Sequence, residues 1–458
     1  MKKLLCVLLS CLMLASVFAP AALAADDAFV PVLRFIASSD SHIRSDSDMT
    51  SERIGKMLSE VYAVADADGA YGALDALLMA GDLTNDGTKE EFVKYWAAVS
   101  GALREGTEYL GVVAKNHDGY VMPRRELRRN FAELTGLDAD FHKVINGFHF
   151  IGLSASDTDG IHYTRKQLNW LREQLDAAVA EDPAKPVFFM HHEHNRNTVY
   201  GSSSYDGWGV TFFNKILDQY PQVVDFSGHS HYPLNDPRSL WQGKYTAIGT
   251  GAIYYSEFTI DDVRTYHPAD SDQTATCWIV EVDAANRLRL RGWDIEADRQ
   301  LCEYVLDNPA DPANREYTPE KQAARSKAPV FASGAALQIE PVKGGCRVLI
   351  PAAESADGMP VVLYRVSAVN KNGVEVEKQW ALPHYYVADG PEETECTLDG
   401  LTTGEYTIRV VAETAYGVQS EPLTEKTEVD GENAFVGFFL YLGRLFRQLF
   451  AAIRLMFA

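Results

Sequence analysis

The segment Val32-Leu33-Arg34-Phe35-Ile36-Ala37-Ser38-Ser39-Asp40-Ser41-His42 carries the pattern that decides the fold. Its first six residues are almost all apolar, which is typical of a strand buried on both faces of a sheet. Asp40 and His42 follow closely and lie two residues apart, so in an extended chain their side chains point the same way. The segment therefore predicts a buried strand that delivers two polar groups to one place.

A strand followed by polar side chains recurs four more times along the chain. The further motifs are Gly81-Asp82, Asn116-His117-Asp118, His191-His192 and Gly228-His229-Ser230-His231. The strands predicted in front of them are 76–80, 109–114, 187–190 and 223–226. Helical patterns lie between these strands, and this alternation predicts a layered α/β domain. Ligand sites in open α/β sheets lie at the carboxyl ends of the strands, so we expect the five motifs to converge there.

The side chains of these motifs are of the types that bind metal ions. Carboxylate and amide oxygens together with imidazole nitrogens, without any thiolate, suit iron, manganese, zinc or cobalt. A carboxylate is the natural bridge between two cations about 3.5–4 Å apart. Asp82 is the candidate bridge, because Gly81 lets the backbone turn tightly there. Any one of the motifs is common by chance, but all five in order form a specific signal.

This set of motifs resembles the calcineurin-like metallophosphoesterase family. The resemblance implies a β-sandwich core flanked by helices (an αββα sandwich) and a pair of divalent or trivalent metal ions. In the family pattern, one ion would be held by Asp40, His42, Asp82 and His231, and the other by Asp82, Asn116, His191 and His229. His191 and His192 compete for a single position, and His191 is favoured because it directly follows the predicted strand.

The resemblance also implies a reaction, the metal-dependent hydrolysis of phosphomonoesters or phosphodiesters. A hydroxide bridging the two metals would be the nucleophile. His117 is the candidate proton donor to the leaving oxygen, and Asp118 is the candidate group that stabilises its imidazolium. The positive charge of two dications exceeds the negative charge of the Asp40 and Asp82 carboxylates, so the centre would stay cationic and attract a phosphate.

The sequence departs from the family pattern at Lys115, because a glycine usually precedes the Asn-His-Asp triplet. A lysine could crowd the turn at this position. It could equally add a contact to the phosphate group, and this is the hypothesis that we favour.

Local signals place helices and turns between the strands. The spacing of Ile54, Leu58, Val61 and Ala65 predicts one buried face of a helix over 50–66. Capping boxes at 88–91 and 164–167 predict the starts of two more helices. Asn146-Gly147 predicts a hairpin turn, and 276–283 with 287–295 predict a late hairpin. The resulting domain spans 29–297, and the proline-rich stretch 298–327 is predicted to be a linker.

The region 328–429 changes to short strands without helical patterns. Its second half, from Leu398 to Pro422, resembles a fibronectin type III domain, with Tyr406 where the corner tyrosine of that fold would lie. The resemblance implies an all-β sandwich that serves as a spacer or as a ligand-binding module.

The two ends of the chain suggest where the protein works. Lys2 and Lys3, an apolar stretch and Ala22-Leu23-Ala24 predict a signal peptide over 1–24 and hence a secreted or extracellular protein, one that could be attached to the cell surface or membrane. The segment 434–458 combines large apolar residues with three arginines as its only charges. That composition favours a cationic amphipathic helix in a membrane interface over a spanning helix.

Net charge bears on the possible partners, and cysteine content bears on the possible disulfides. A formal net charge of −22 disfavours nucleic acid polymers as partners. The cysteines after the signal segment are Cys277, Cys302, Cys346 and Cys396, and export would permit disulfides. Pairing within domains would join Cys277 to Cys302 and Cys346 to Cys396, although four cysteines allow three pairings.

Three alternatives to a general phosphoesterase stay open from the sequence. A non-catalytic cell-surface binding protein on the same fold is suggested by Lys115. A nucleotide or cyclic-nucleotide phosphodiesterase is suggested by aromatic residues near the motifs that could stack a base, namely Tyr200, Tyr205, Trp208 and Tyr232. Action on lipid or cell-wall phosphodiesters is suggested by the segment 434–458 alone.

Overall fold

A computed structural model of the protein describes residues 28–203, 208–260, 264–387 and 390–431. The strands of the first domain are β1 (Pro31–Ser38), β2 (Ala76–Ala80), β3 (Glu108–Val112), β4 (Asp140–Ile145), β5 (Phe148–Leu153), β6 (Val187–Glu193), β7 (Val223–Gly228), β8 (Leu240–Gln242), β9 (Thr246–Gly249), β10 (Phe258–Ile260), β11 (Arg264–Tyr266), β12 (Thr276–Asp283), β13 (Leu288–Asp294) and β14 (Arg299–Leu306). The helices are α1 (Met49–Ala67), α2 (Lys89–Ala102), α3 (Arg124–Thr135), α4 (Arg165–Glu181), α5 (Asn214–Leu217) and α6 (Pro319–Arg325).

Two six-stranded mixed sheets form the centre of this domain. The first has the strand order β14-β13-β12-β1-β2-β3, in which β1, β2 and β3 run parallel and β12 to β14 antiparallel. The second has the order β4-β5-β6-β7-β9-β8, with β5, β6, β7 and β9 parallel. The parallel strands of each sheet are joined by crossover connections, and this arrangement brings their carboxyl ends together at one edge.

The two sheets pack face to face through aromatic side chains. Phe35 on β1 meets the rings of Phe150, Phe188 and Phe226 on the second sheet, with centroids 5.2, 4.9 and 5.8 Å away. All four rings are buried, and such edge-to-face contacts add about 0.5–1.5 kcal/mol each to the burial energy. The predicted fold class, an α/β sandwich flanked by helices, is confirmed.

Helices cover the outer faces of the sandwich. Ile54, Leu58, Val61 and Ala65 of α1 are all fully buried, as the helical spacing predicts. Full burial of each of the larger three side chains is worth about 1.5–3 kcal/mol. On the outside of the second sheet, α4 buries leucines in a separate cluster that includes Phe189. The parallel strands are therefore shielded from water on both faces, which explains the continuous apolar runs in the sequence.

The predicted caps and the predicted hairpin turn form as expected. Both side chains of each capping box bond to the opposite backbone at the starts of α2 and α4. Asn146 and Gly147 both adopt positive φ, 51° and 76°, between the paired strands β4 and β5. Positive φ at both central residues is the signature of a type I′ turn, which the Asn-Gly pair favours.

The stretch predicted to be a linker belongs in part to the first domain. Residues 299–306 form β14, which pairs with β13 along its length and extends the first sheet by one edge strand. The prolines that suggested a linker lie beyond this strand. Thr318 caps α6 through its side chain, as predicted for the Thr-Pro start. The sequence signal failed at β14 because an exposed edge strand has no continuous apolar run, and most of its residues are not buried.

The second domain is all-β. Its strands are β15 (Val330–Phe331), β16 (Gln338–Val342), β17 (Gly345–Ile350), β18 (Ala353–Glu354), β19 (Val361–Asn370), β20 (Glu375–Ala381), β21 (Thr394–Asp399), β22 (Gly404–Thr414) and β23 (Leu423–Val429). A three-stranded sheet, β16-β17-β21, faces a four-stranded sheet, β20-β19-β22-β23, around one hydrophobic cluster. The Tyr406 hydroxyl donates to the Thr402 carbonyl at 2.9 Å. The fibronectin type III assignment stays a prediction.

The second domain contacts the first close to the predicted site. Asp270 accepts hydrogen bonds from the Tyr386 hydroxyl at 2.6 Å and from the His384 ring at 2.8 Å. Asn235, four residues beyond the Gly-His-Ser-His motif, donates to the Tyr385 carbonyl at 2.7 Å. The second domain therefore holds the segment that continues from that motif.

The disulfide prediction is contradicted, and the predictions for the two terminal segments are not tested. All four cysteines of the described chain are free, so the suggested disulfides are not formed. The predicted signal peptide 1–24 and the predicted helix 434–458 lie outside the described residues. Within the part of the chain that is described, no helix is long and apolar enough to cross a membrane.

A buried carboxylic acid on α1 makes folding stability depend on pH. Burial raises the pKa of Glu60 to about 7; Asp298 adds to the rise, whereas Lys56 and the hydrogen bond from the Trp293 indole oppose it. A raised carboxyl pKa means that the folded state holds the proton more tightly than the unfolded chain. The protonated Glu60 carboxyl therefore makes its full contribution to folding stability below about pH 4.5, and this contribution is lost as the pH rises to about 7.

At pH 8 we expect Glu60→Gln to have a free energy of unfolding higher than that of the wild type by on the order of 1 kcal/mol. The reason is that glutamine keeps an acceptor for the Trp293 indole but carries no charge. The advantage should shrink at pH 5. Urea titrations at both pH values measure this. Glu52→Gln, at an exposed position of the same helix, is the control. Equal advantages at pH 5 and pH 8 would contradict the assignment.

Candidate metal centre

The five motifs meet where strands from both sheets end. Asp40 and His42 follow β1, Asp82 follows β2, and Asn116 lies four residues after β3. From the second sheet come the end of β6 and the turn after β7, which carries His229 and His231. Backbone hydrogen bonds link these turns directly: the Asp40 amide donates to the Gly81 carbonyl and the His42 amide to the Asp82 carbonyl, each at 3.0 Å.

One cluster consists of Asp40, His42 and His231. The Nε2 atoms of the two histidines lie 3.1 Å apart. Asp40 Oδ1 lies 3.1 Å from His231 Nε2 and 3.7 Å from His42 Nε2. Metal–ligand bonds of about 2.0–2.2 Å place neighbouring ligand atoms about 2.9–3.6 Å apart. The three atoms therefore have spacings close to those of ligands around one cation.

A second cluster surrounds Asp82. His192 Nε2 lies 3.0 Å from Asp82 Oδ2. The Asn116 amide lies between Asp82 Oδ2, at 2.8 Å, and His229 Nδ1, at 3.3 Å. Ligand atoms of Asp82, His192 and His229 all fall within 4.8 Å of one another, as do those of His42, Asp82 and His117. Asp82 thus belongs to two of the close groups, as a shared ligand must.

Unsatisfied oxygens show that these residues fit a metal. Asp40 Oδ1, Asp82 Oδ1 and Asn116 Oδ1 are buried and make no hydrogen bond. Buried polar atoms normally find a partner, and leaving one without costs about 1–3 kcal/mol. Several such oxygens beside imidazole nitrogens form an N/O donor set of the kind that binds iron, manganese, zinc or cobalt.

The backbone is strained at the same residues. Asp40, His42, Asp82, His229 and His231 all adopt positive φ, between 42° and 77°. Such conformations cost non-glycine residues about 1–3 kcal/mol each and occur most often at functional sites. Among the described residues, these five make up the majority of the nine non-glycine residues with positive φ.

Two glycines allow the turns to approach each other. A Cβ atom at Gly228 would collide with the side chains of Ser39 and Asp40, and one at Gly81 would collide with the ring of His192. Gly81 also has φ of 92°, in the region that favours glycine. The glycines of two motifs are therefore required by the packing of the ligand side chains.

The structure corrects the choice of His191 over His192. β6 does not end at Met190 but continues to Glu193, so both histidines lie within the strand and point to opposite faces. His192 shares the inner face with Phe188 and points at Asp82. His191 shares the outer face with Phe189 and lies 3.1 Å from Asp225 Oδ1.

The structure also corrects the role of Asp118. Its Oδ1 accepts hydrogen bonds from the Thr84 amide and hydroxyl, and its Oδ2 from the Ala114 amide, each at 2.8–2.9 Å. Asp118 therefore fastens two turns to each other. His117 donates instead from Nδ1 to the Asn85 carbonyl at 2.8 Å, which leaves Nε2 for other partners.

The position of His117 suits its predicted role. Its ring lies against that of His42, with centroids 4.3 Å apart, and it is only half-buried. The carbonyl of Asn85 fixes the tautomer in which Nε2 carries no proton when the ring is neutral. One ring nitrogen of His117 lies within 4.8 Å of ligand atoms of His42 and Asp82, so a protonated ring would stand beside the candidate ligands.

Lys115 is accommodated without strain. Its side chain is exposed, and its φ is not positive, so the turn does not need glycine here. We expect Lys115→Gly to raise the Michaelis constant for a phosphate ester by up to about 5-fold, because an exposed charge contributes at most about 1 kcal/mol. Steady-state kinetics measures this, with the exposed Lys143→Gly as control. An unchanged constant removes the phosphate contact.

The charged groups of the two clusters shift one another's pKa values. Burial would raise the pKa of Asp40, but His231 holds that pKa well below its usual value. Burial would lower the pKa of His192, but Asp82 raises it well above its usual value. Burial and the charge of His192 lower the pKa of His229 to about 4. Protons on two imidazoles thus balance the carboxylates, and cation binding would release them.

Several contacts at the site have no signal in the sequence. The Ser39 hydroxyl bonds to Asp40 Oδ2 and lies 2.7 Å from the Thr250 hydroxyl. His194 lies between the hydroxyls of Ser227 and Ser230, at 2.8 and 2.6 Å, and so braces the turn after β7. A hydroxyl or histidine in a loop is common in any sequence, and only the folded chain selects these.

The aromatic residues proposed from the sequence as base-stacking groups are divided. Tyr200 and Tyr232 pack on each other, with centroids 4.2 Å apart, and Arg238 covers the ring of Tyr200. Trp208 lies against His229, with centroids 4.7 Å apart. Tyr205 lies outside the described residues. Among the described members of this group, Trp208 is the residue whose ring contact lies at the candidate metal centre.

Comparison with known proteins identifies the first domain. Residues 33–233 match the model of the calcineurin-like phosphoesterase family. Residues 33–233 therefore form a calcineurin-like phosphoesterase domain. The resemblance drawn from the five motifs is confirmed for these residues. No curated protein matched the chain.

Among solved structures, a purple acid phosphatase from yellow lupin (Lupinus luteus) seeds is 13% identical, with a TM-score of 0.41. The match covers 60% of this chain, and the chain spans about half, 53%, of the lupin protein. CopC from Methylosinus trichosporium OB3b is 22% identical, with a TM-score of 0.16, over 24% of this chain and 98% of that protein. Likenesses this weak carry no argument about function.

Proposed function

We propose that the protein is a dinuclear metal-dependent phosphoesterase that hydrolyses phosphomonoesters or phosphodiesters. The observation that carries the proposal is that Asp82 belongs to two groups of close donor atoms, one with His42 and His117 and the other with His192 and His229. A shared carboxylate is what a pair of close cations requires.

The geometry suggests how the residues would divide. Asp40, His42, Asp82 and His231 would hold one ion, and Asp82, Asn116, His192 and His229 the other. This is the division that the family resemblance implies, with His192 in the place of His191. When bound, such ions supply positive charge for the phosphoryl oxygens and lower the pKa of water.

The remaining residues would handle the proton and the positioning. The half-buried ring of His117, held through Nδ1 by the Asn85 carbonyl, is the proposed donor of a proton to the leaving oxygen. Asp118 would keep the turns that carry Thr84 and Ala114 together and so fix the position of His117. His194 would orient the turn that carries His229 and His231.

Reconstitution tests the proposal directly. The full chain, freed of metal by chelation, is loaded separately with Mn²⁺, Zn²⁺, Fe²⁺ or Co²⁺ and assayed with p-nitrophenyl phosphate and with its bis-ester. We expect about two ions per chain and turnover that a chelator abolishes. If the chain binds none of the ions and hydrolyses neither ester, the result would favour the rival function, a non-catalytic binding protein on this fold.

We also propose that the protein is exported and contacts a membrane surface through 434–458. The support is the sequence of these two segments alone. N-terminal sequencing of the exported protein should begin at Ala25. Deletion of 434–458 should reduce partitioning into anionic vesicles, and unchanged partitioning would count against the membrane contact.

A further inference from the structure

Aromatic rings stand on several sides of the candidate metal centre. The residues of this aromatic rim, as we call it, are Tyr120, Trp208, Tyr254 and Tyr255. They come from three loops: the one after β3, the one between β6 and α5, and the one after β9. The shortest contact of each ring with a histidine is to a different histidine of the centre, so the rim is not one local cluster.

The contacts place each ring beside a histidine of the centre. Tyr254 lies 5.6 Å, centroid to centroid, from His42, and Tyr255 lies 4.4 Å from His231. The two tyrosines also meet each other edge to face at 4.8 Å. Any group that approaches this side of the centre passes an apolar wall.

Tyr120 stands at the proposed proton donor. Its ring centroid lies 4.7 Å from that of His117. The Tyr120 residue is 60% exposed. A tyrosine ring can bury a large apolar area when another group packs against it, and this area is left uncovered here. Val121, the next residue, is 66% exposed. An exposed ring beside the group that meets the leaving oxygen is available for contact with the part of the substrate that leaves.

Charge does not offer an alternative use for this surface. Tyr120 and Val121 present apolar area, and the exposed acidic residue Asp86 is nearby, since its carbonyl accepts a hydrogen bond from the Val121 amide at 3.2 Å. An anionic leaving group would be repelled by the carboxylate, and a strongly polar one would gain little from a ring face. A flat, uncharged ring gains stacking energy from a tyrosine whatever its hydrogen-bonding pattern.

We infer that the preferred ester carries a planar aromatic ring on its leaving alcohol, and that this ring stacks on Tyr120. The inference rests on the proposed phosphoesterase function. The chemistry that is recognised is the ring, and it could belong to an arylmethyl alcohol or to a nucleoside. Tyr120 is then a specificity residue, whose contribution appears in the choice between esters.

A pair of substrates isolates this contribution. Benzyl phosphate and cyclohexylmethyl phosphate have leaving alcohols of similar size and similar reactivity, but only the first is planar and aromatic. For the metal-loaded full chain we expect kcat/KM to be about 5- to 10-fold higher for the benzyl ester. Tyr120→Leu should bring this ratio close to one, because leucine keeps apolar surface but has no ring. Tyr120→Phe should preserve it.

Controls separate this inference from the proposed function. Val121→Ala changes an equally exposed neighbour in the same loop and should leave the ratio at the wild-type value. Hydrolysis of both esters with the same ratio in wild type and Tyr120→Leu would overturn the stacking and leave the phosphoesterase function standing. No hydrolysis of either ester by metal-loaded protein would overturn the phosphoesterase function, and the inference with it.

A second substrate pair identifies the source of the ring. Adenosine 5′-monophosphate and ribose 5-phosphate differ by the base alone. A preference for the nucleotide that Tyr120→Leu removes would support a nucleoside ester. A preference confined to the benzyl ester would support an arylmethyl ester. Wild-type indifference in both pairs would overturn the inference.

Discussion

Asp82→Asn should lower kcat for p-nitrophenyl phosphate or its bis-ester by roughly 10³-fold, which corresponds to about 4 kcal/mol of lost transition-state stabilisation. Asp82 is fully buried, and its carboxylate lies beside both His192 and Asn116. Asparagine has nearly the same shape but carries no charge and cannot bridge two cations with two equivalent oxygens. We therefore expect metal content to fall as well, from about two ions per chain to one or fewer.

Metal analysis of the purified variant and steady-state kinetics measure the two effects separately. Asp86→Asn is the matched control, because it makes the same chemical change on an exposed side chain four residues further along. It should keep both the metal content and kcat of the wild type. An Asp82→Asn variant that retains two ions and near-normal turnover would rule out the shared carboxylate.

His192→Ala should lose one bound ion and lower kcat by roughly 10²-fold or more, whereas His191→Ala should keep its metal and lose stability. The two histidines are adjacent in β6 but face opposite sides of the sheet. His192 points at Asp82, and His191 pairs with the fully buried Asp225 at 3.1 Å. Removing one partner of a buried pair typically costs about 3–5 kcal/mol, because the other charge remains buried.

The loss at His191 should be near the lower end of that range, because the Asn195 amide also donates to Asp225, at 2.8 Å. Metal analysis and urea unfolding of both variants measure the contrast. If His191→Ala does not fold, His191→Gln can keep a donor for Asp225 and still tests metal retention. Loss of an ion from His191→Gln, with full metal content in His192→Ala, would reverse the assignment.

Much of the site could be anticipated because its motifs follow buried strands. The apolar run before Asp40 marks a strand whose end must lie at the sheet edge, and the same holds before Asp82 and His229. Because neighbouring parallel strands run in the same direction, their carboxyl ends lie at the same edge of the sheet. Gly81 and Gly228 could be identified from the sequence as turn residues, although the side chains they make room for could not.

The errors have a common origin in strand ends and side-chain direction. The sequence does not mark whether β6 ends at Met190 or at Glu193, because polar residues are compatible with a buried strand when they have partners. That difference decides which histidine faces Asp82. In the same way, β14 has few buried residues to reveal it, and it forms because β13 offers a free edge.

The amino-acid sequence by itself determined the α/β layering, the order of the buried strands and the polar residues that end them, since these depend on local periodicity and turn chemistry. Only the tertiary structure decided that His192 faces the centre, that Asp118 ties two turns together and that Tyr120 is left exposed beside His117. These features are contacts between residues far apart in the chain, and their partners are fixed by sheet register and packing, which no local pattern encodes.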